Sequence, residues 1–195
     1  MDFDGLVKEI AIIDSTIISA IAEKCKQISW MQTDYSRGEP PLKEGRLVVF
    51  PYVIKPRDYS PGVDQRALLE LCLPVCTRIR EIFSQCIFIR GEIATLPPGV
   101  ELGWHVDPMW FHEHCHRIHV PIITDSRCVQ LWEGSSQHLC AGKIYEINNR
   151  RRHSARNGSE DFRVHLIFDL CHETTWADYV SKGGNPNVMT CDPAL

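Results

Sequence analysis

The second half of the chain is a series of short β-rich runs separated by turns, with no helical pattern between them. From Cys86 onward the runs read CIFIRGEIATL, VELGWHVD, RIHVPIIT, CVQLW, GKIYEIN and FRVHLIFDL. Strands at this spacing predict a barrel or a double-sheet jelly roll. We therefore expect a mainly β fold.

Helices are predicted in front of this β core. Apolar residues recur every three and four positions over residues 6–30, which is typical of an amphipathic helix. A second helix is predicted over residues 68–83, disturbed by Pro74. Between them, residues 35–44 are rich in Gly, Pro and charge and predict a loop, and residues 45–54 predict a buried strand.

The whole chain, 1–195, is expected to fold as one domain. A length of 195 residues is enough to bury a core without disulfides. The predicted division is a flank of helices and a strand over 1–85, a jelly-roll core with the functional site over 86–170, and an irregular or weakly helical cap over 171–195.

Composition argues against two classes of partner. The net charge is −4, so we expect neither a nucleic-acid partner nor an anionic membrane surface. The acidic start MDFDGLVKEI is unlike a secretory signal, and its apolar run is short and interrupted by Asp14. Nine cysteines without such a signal predict reduced, buried thiols in a cytoplasmic protein. Cys72 and Cys76 are interpreted as core residues.

Three otherwise apolar runs each carry a pair of polar residues two positions apart. Residues with this spacing point to the same side of a strand. Facing inward, such groups would be costly unless they bind something charged. We therefore expect the pairs to form one functional site. The pairs are His105 and Asp107, Arg117 and His119, and Arg163 and His165.

A metal ion and a dicarboxylate would suit these groups. Two His and one carboxylate on one side of an ion are the facial arrangement of non-haem Fe(II) oxygenases. His105 and Asp107 supply two such ligands, and His153, after the GKIYEIN run, is the candidate third. The planar fork of Arg163 can hold a carboxylate through two hydrogen bonds, which Lys cannot copy.

The run LPPGVELGWHVD, followed by RIHVPIIT and GKIYEINNRRRHSARNGSEDFRVHLIFD, resembles the aspartyl/asparaginyl β-hydroxylase family of Fe(II)/2-oxoglutarate oxygenases, which includes bacterial free-proline hydroxylases. The resemblance covers roughly residues 90–170. It implies a double-stranded β-helix, that is, a jelly roll with flanking N-terminal α-helices.

The same resemblance implies the roles of individual residues. His105, Asp107 and His153 would hold Fe(II). Arg163 would clamp the distal carboxylate of 2-oxoglutarate, and Arg117 and His119 would lie near its other end. O2 would be the second cosubstrate.

The implied activity is hydroxylation of an unactivated C–H, with release of succinate and CO2. Some family members that act on protein side chains have Gly where this chain has Asp107, so we expect an amino acid or a related small molecule as substrate. Hydroxylation of Asp, Asn or another residue in a peptide or protein is the alternative. The sequence does not predict the oligomeric state.

Other interpretations of these residues stay open. The dense His tract WFHEHCHRIH could itself bind metal, as in cupins, and a catalytically silent binding module is a third class. Candidates for substrate contact are Arg156, three residues after His153, together with Trp110 and His112 in the His-rich segment. That segment is expected to form an exposed loop or a lid over the mouth of the site.

Overall fold

The computed structural model describes residues 3–27, 45–48, 65–107 and 114–184. Helices and strands alternate in the first part of the chain, and strands dominate the rest. In chain order the elements are β1 Val7–Ile12, α1 Ser15–Lys26, β2 Gly45–Val48, α2 Gln65–Ile82, β3 Cys86–Leu96, β4 Cys115–Ile123, β5 Cys128–Trp132, β6 Ser135–His138, β7 Lys143–Ile147, β8 His153–Asn157, β9 Arg163–His172 and α3 Glu173–Ser181.

The strands form two sheets. The large sheet has six strands in the order β1-β7-β4-β9-β3-β2, and the small sheet has three in the order β6-β5-β8. Neighbouring strands run antiparallel in both sheets. The predicted jelly roll is confirmed. Neighbouring strands in the large sheet are mostly not consecutive in the chain, so longer connections than hairpins join them.

The two faces of the large sheet carry different chemistry, because side chains alternate along each strand. Ile118 of β4 and Phe168 of β9 point to the face covered by α1 and α2, where they join one apolar core with Ile21 and Ile79. The opposite face turns toward the small sheet and carries the buried polar groups. The helices therefore pack on one face of the large sheet, and the polar site lies on the other face, toward the small sheet.

Most of the predicted strands are confirmed, two of them with the bounds of their runs. β3 coincides with CIFIRGEIATL and β5 with CVQLW. The run VELGWHVD does not form a continuous strand but makes isolated bridges at Glu101 and His105. It follows a turn at Gly99, where a φ of 72° favours glycine.

The predicted helix over residues 6–30 is wrong in its first part. Val7–Ile12 is a strand that pairs with β7, and the helix begins only at Ser15. Asp14 caps that helix, because its side chain accepts a hydrogen bond from the backbone N–H of Thr16 at 2.8 Å. The pairing with β7 overrides the helical spacing of the apolar residues. Residues 28–30 lie outside the described part.

The second helix is confirmed over Gln65–Ile82, with Pro74 inside it. Pro74 has no backbone N–H and therefore removes one hydrogen bond from the helix. Burial of its neighbours in the apolar core offsets this loss; they are Cys72, Val75 and Ile79. The described part of the predicted cap is more regular than expected, because α3 is a nine-residue helix that buries Trp176 against Ile89, and residues 185–195 lie outside the described part. The predicted strand at 45–54 is confirmed for Gly45–Val48. The remainder of that strand and the loop at 35–44 lie outside the described part.

The eight cysteines in the described ranges are thiols rather than disulfides, and six of them are buried. Cys72 and Cys76 pack in the core beside Cys25, as predicted. Among the described residues, none of the helices is long and apolar enough to span a membrane.

Candidate metal centre

Two of the predicted ligands are held side by side by the backbone. His105 and His153 form an antiparallel bridge in which each backbone N–H donates to the carbonyl of the other residue, at 3.0 and 2.9 Å. Their rings lie 4.4 Å apart, centroid to centroid. The segment before Asp107 is thereby fixed to the start of β8, and the two imidazoles point into the space between the sheets.

The three predicted ligands meet at one point. Ligand atoms of His105, Asp107 and His153 all lie within 4.8 Å of one another, and no other group of this kind occurs in the described ranges. Val106, which lies between the first two in sequence, is exposed on the other side. The arrangement is the set of two His and one carboxylate that leaves one face of a bound ion open.

Hydrogen bonds orient both imidazoles for metal binding. Nδ1 of His105 lies 2.8 Å from the carbonyl oxygen of Gly103, and Nδ1 of His153 lies 2.8 Å from that of Arg151. A carbonyl only accepts, so the ring proton is placed on Nδ1 and the lone pair on Nε2. Burial also lowers the pKa of His153, which favours the neutral ring that a metal requires.

Asp107 is held through one of its oxygens. Its Oδ2 accepts hydrogen bonds from Nη2 of Arg117 and from Nδ2 of Asn149, the latter at 3.1 Å. The other oxygen, Oδ1, lies 3.7 Å from Nε2 of His105. The carboxylate thus presents one oxygen toward the two imidazole nitrogens, and the donor set fits a divalent metal ion.

Arg163 lies in the same cavity, at the level where β9 begins. It is 5% exposed, and its Nη2 lies 3.4 Å from Oε1 of Gln130 and 3.2 Å from Nδ1 of His165. Gln130 in turn donates to the carbonyl of Ser154, next to His153, at 2.9 Å. A chain of contacts therefore links the guanidinium to the strand that carries a predicted metal ligand.

Two buried imidazoles surround this guanidinium. His119 and His165 face each other, with their Nδ1 atoms 3.5 Å apart. Burial, reinforced by the nearby positive charges of Arg117 and Arg163 at His119 and of Arg163 at His165, lowers the pKa of both rings well below the usual value. Both are therefore neutral at physiological pH, and they can accept as well as donate hydrogen bonds.

One cavity contains all six residues predicted for the metal and 2-oxoglutarate. His105, Asp107, Arg117, His119, His153 and Arg163 all line it. The apolar part of its wall includes Leu102, Ala94, Ala155, Ile147 and Ile167. The cavity thus has a metal-binding end at His105, Asp107 and His153, a polar end at Arg163, and apolar side walls.

The structure does not bring Arg156 to this cavity. On β8 a residue three positions after His153 points to the opposite side, and Arg156 is exposed opposite Val129. Its assignment as a substrate contact stays a prediction. Trp110 and His112 lie outside the described residues.

Other residues of the cavity carried no sequence prediction. The cavity is also lined by Arg90 and Glu92 of β3, Gln130 of β5 and Asn149 after β7. Glu92 is 3% exposed, and its Oε1 lies 3.7 Å from Nη2 of Arg90. The two-residue spacing that indicated the other polar pairs could also have found this pair in the CIFIRGEIATL run.

Comparison with known proteins is consistent with this site. The family model for aspartyl/asparaginyl β-hydroxylases matches residues 59–173, more than half of the chain. No curated protein sequence matches significantly.

Solved structures share the fold. An oxidoreductase of the 2OG-Fe(II) oxygenase family from Burkholderia pseudomallei is 11% identical, with 82% of this chain and 80% of that chain covered at a TM-score of 0.55. A viral collagen prolyl hydroxylase from Paramecium Bursaria Chlorella virus-1, in complex with 2OG, is 8% identical, with 86% and 96% covered at 0.53. The non-haem α-ketoglutarate-dependent epimerase SnoN from nogalamycin biosynthesis is 12% identical, with 85% and 77% covered at 0.54.

Proposed function

The chain belongs to the aspartyl/asparaginyl β-hydroxylase family, and on that premise we propose that it is an Fe(II)- and 2-oxoglutarate-dependent dioxygenase. Its reaction is hydroxylation of an unactivated C–H in an amino acid or a related small molecule, with release of succinate and CO2. One observation carries the proposal: a His-Asp-His set and a buried arginine line the same cavity.

The metal end is assigned to Fe(II). His105, Asp107 and His153 would hold the ion through Nε2, Oδ1 and Nε2, while both imidazoles keep their protons on Nδ1. Bound there, Fe(II) would supply the oxidising chemistry with O2, which no amino-acid side chain provides.

The other end is assigned to 2-oxoglutarate. Arg163 would hold the distal carboxylate with its planar fork, and His119, Arg117 and the metal would lie toward the keto acid end. Gln130 and His165 both contact Nη2 of the guanidinium and help to fix its position. Solved proteins of the same fold are described as 2OG-Fe(II) oxygenases or as a 2OG complex, which favours this cosubstrate.

The remaining groups of the cavity support the proposal of an amino-acid-like substrate. Asp107 is kept where some protein-directed relatives have Gly. Arg90 and Glu92 give the cavity one group of each sign, close enough to meet the two charges of a zwitterion. The apolar side walls, with Leu102 and Ile167 among them, would exclude bulk water from the reacting carbon.

The test is turnover of the Fe(II)-loaded protein with 2-oxoglutarate, O2 and a panel of free amino acids that includes proline, aspartate and asparagine. We expect succinate and an amino acid with one added oxygen in equal amounts, and neither product with His153→Ala. Hydroxylation of peptides alone would support the alternative substrate class. A protein that binds metal but forms no succinate with any substrate would contradict the proposal.

A further inference from the structure

A row of three charged side chains crosses the large sheet beside the metal centre. Asp169 on β9 lies directly opposite Arg117 on β4 and directly opposite Arg90 on β3. Its Oδ2 accepts a hydrogen bond from Nε of Arg90 at 2.8 Å, and its Oδ1 lies 3.1 Å from Nε of Arg117. The carboxylate is therefore hydrogen-bonded to Arg90 and ion-paired with Arg117, and its Oδ1 lies outside hydrogen-bond geometry.

The position of Asp169 is costly for a purely structural residue. It is 0% exposed and sits on β9 between two fully buried apolar residues, Phe168 and Leu170. A buried carboxylate has to be compensated by partners, and replacing such ion pairs by apolar residues often leaves stability unchanged or higher. A functional reason for the row is therefore more plausible than a structural one, and it lies in the second contact that the Arg117 guanidinium makes.

That second contact of Arg117 lies at the metal centre. Its Nε side faces Asp169, and its Nη2 donates to Oδ2 of Asp107. Asp107 lies outside the named strands, and its backbone N–H donates to the carbonyl of Asn149 at 3.4 Å. The side chains of Arg117 and Asn149 both hold its carboxylate through Oδ2.

We propose that Asp169 is a positioning residue of the metal centre: it fixes Arg117, which in turn holds Asp107 with Oδ1 toward the metal. Resemblance alone placed Arg117 only near 2-oxoglutarate, whereas the contacts give it this second task. The inference rests on the proposed function to the extent that His105, Asp107 and His153 bind a divalent metal. Partners of this kind, behind a metal ligand, tune metal affinity without touching the ion.

Binding of Co(II), measured by calorimetry together with the absorption spectrum of the bound ion, tests the chain of contacts. We expect Asp169→Asn to weaken binding about tenfold or more. If Asp169 acts through Arg117, Arg117→Met weakens binding as well, and the double variant binds no more weakly than Arg117→Met alone. Each variant is first checked for a cooperative thermal transition.

Glu146→Gln is the matched control. Glu146 is also a buried carboxylate on a strand next to β4, but its Oε1 lies 2.6 Å from Nδ1 of His116 on the side of the sheet that faces the helices. This variant loses a partly buried ion pair on the other face of the sheet and should bind Co(II) as the wild type does.

Arg117→Lys keeps the test decisive if Asp169→Asn does not fold. Lys retains the charge that Asp169 needs, but it has no planar fork to span two carboxylates. It should therefore fold and bind Co(II) more weakly than the wild type. Wild-type affinity in a folded Asp169→Asn or Arg117→Lys variant, or additive losses in the double variant, would overturn the inference. If the wild type itself binds no divalent metal, the proposed function fails as well.

Discussion

Nη2 of Arg163 lies 3.2 Å from Nδ1 of His165, two residues along the same strand. The pKa of His165 is lowered well below its usual value, first by burial and then by the charge of Arg163. The ring is therefore neutral and can accept from the guanidinium. This contact holds Arg163 at the polar end of the cavity. Because both residues lie on β9, the orientation of the guanidinium is determined by that strand.

Kinetics of Arg163 variants should show how much the charge and the planar shape of the guanidinium each contribute to binding of 2-oxoglutarate. Losing two charge-assisted hydrogen bonds, at about 1.5 kcal/mol each, raises the KM for 2-oxoglutarate about a hundredfold in Arg163→Ala. Arg163→Lys should recover only part of that loss, since Lys cannot bind a carboxylate in two parallel bonds. Steady-state assays of succinate formation check this. Arg156→Ala, an exposed change outside the cavity, is the control with unchanged KM, and a wild-type KM in both Arg163 variants would disprove the clamp.

Stability of the metal-free protein should fall in acid because of His119 and His165. In the unfolded chain each takes up a proton below about pH 6.5, whereas burial keeps both neutral in the fold. The unfolded state then binds more protons, so the free energy of unfolding decreases as the pH falls below that value. Chemical denaturation with a chelator present measures the slope. His165→Asn should flatten it, while substitution of the exposed His114 by Gln should not.

His116 should produce the opposite dependence. Burial lowers its pKa, but hydrogen bonds with Cys86 and Glu146 outweigh that effect and raise the pKa from 6.5 to about 9. Its stabilising contribution is therefore complete below pH 6.5 and is lost as the pH rises toward 9. Denaturation of wild type and His116→Gln at a series of pH values from neutral to alkaline checks this. Equal slopes in the two proteins would contradict the assignment.

The two faces of the large sheet should respond differently to substitution. Phe168 is fully buried on the helix-facing side, edge-on to Phe88 with ring centroids 5.6 Å apart. Phe168→Ala should reduce the free energy of unfolding by about 3–5 kcal/mol. Below its melting transition it should still bind Co(II) with wild-type affinity, since its neighbour Asp169 keeps its partners. A large loss of metal affinity in the folded variant would mean that the faces are coupled.

Much of the fold and the site was predictable because the relevant signals are local. A strand alternates faces every two residues, so pairs such as His105 and Asp107 could be placed on one side without knowledge of the sheet. Turn residues bounded the strands in the same way. These rules required only neighbouring residues in the sequence.

The errors arise where distant pairing decides the structure. Val7–Ile12 has apolar spacing compatible with a helix, but hydrogen bonds to β7 make it a strand. Arg156 was chosen for its closeness to His153 in sequence, and only the alternation of β8 shows that it is exposed, so its contact with substrate stays a prediction. Asp169 had no assigned role, because its partner Arg90 is 79 residues away and only the register reveals the contact.

The most direct test of the central claim is an anaerobic titration of the purified protein with Fe(II) and then with 2-oxoglutarate, followed by visible absorption. If His105, Asp107 and His153 hold iron beside the Arg163 clamp, the weak charge-transfer band of the iron-bound keto acid appears with 2-oxoglutarate and is absent in His153→Ala. Tight metal binding with no band in the wild-type protein would contradict the account and assign the cavity to a metal protein without this oxygen chemistry.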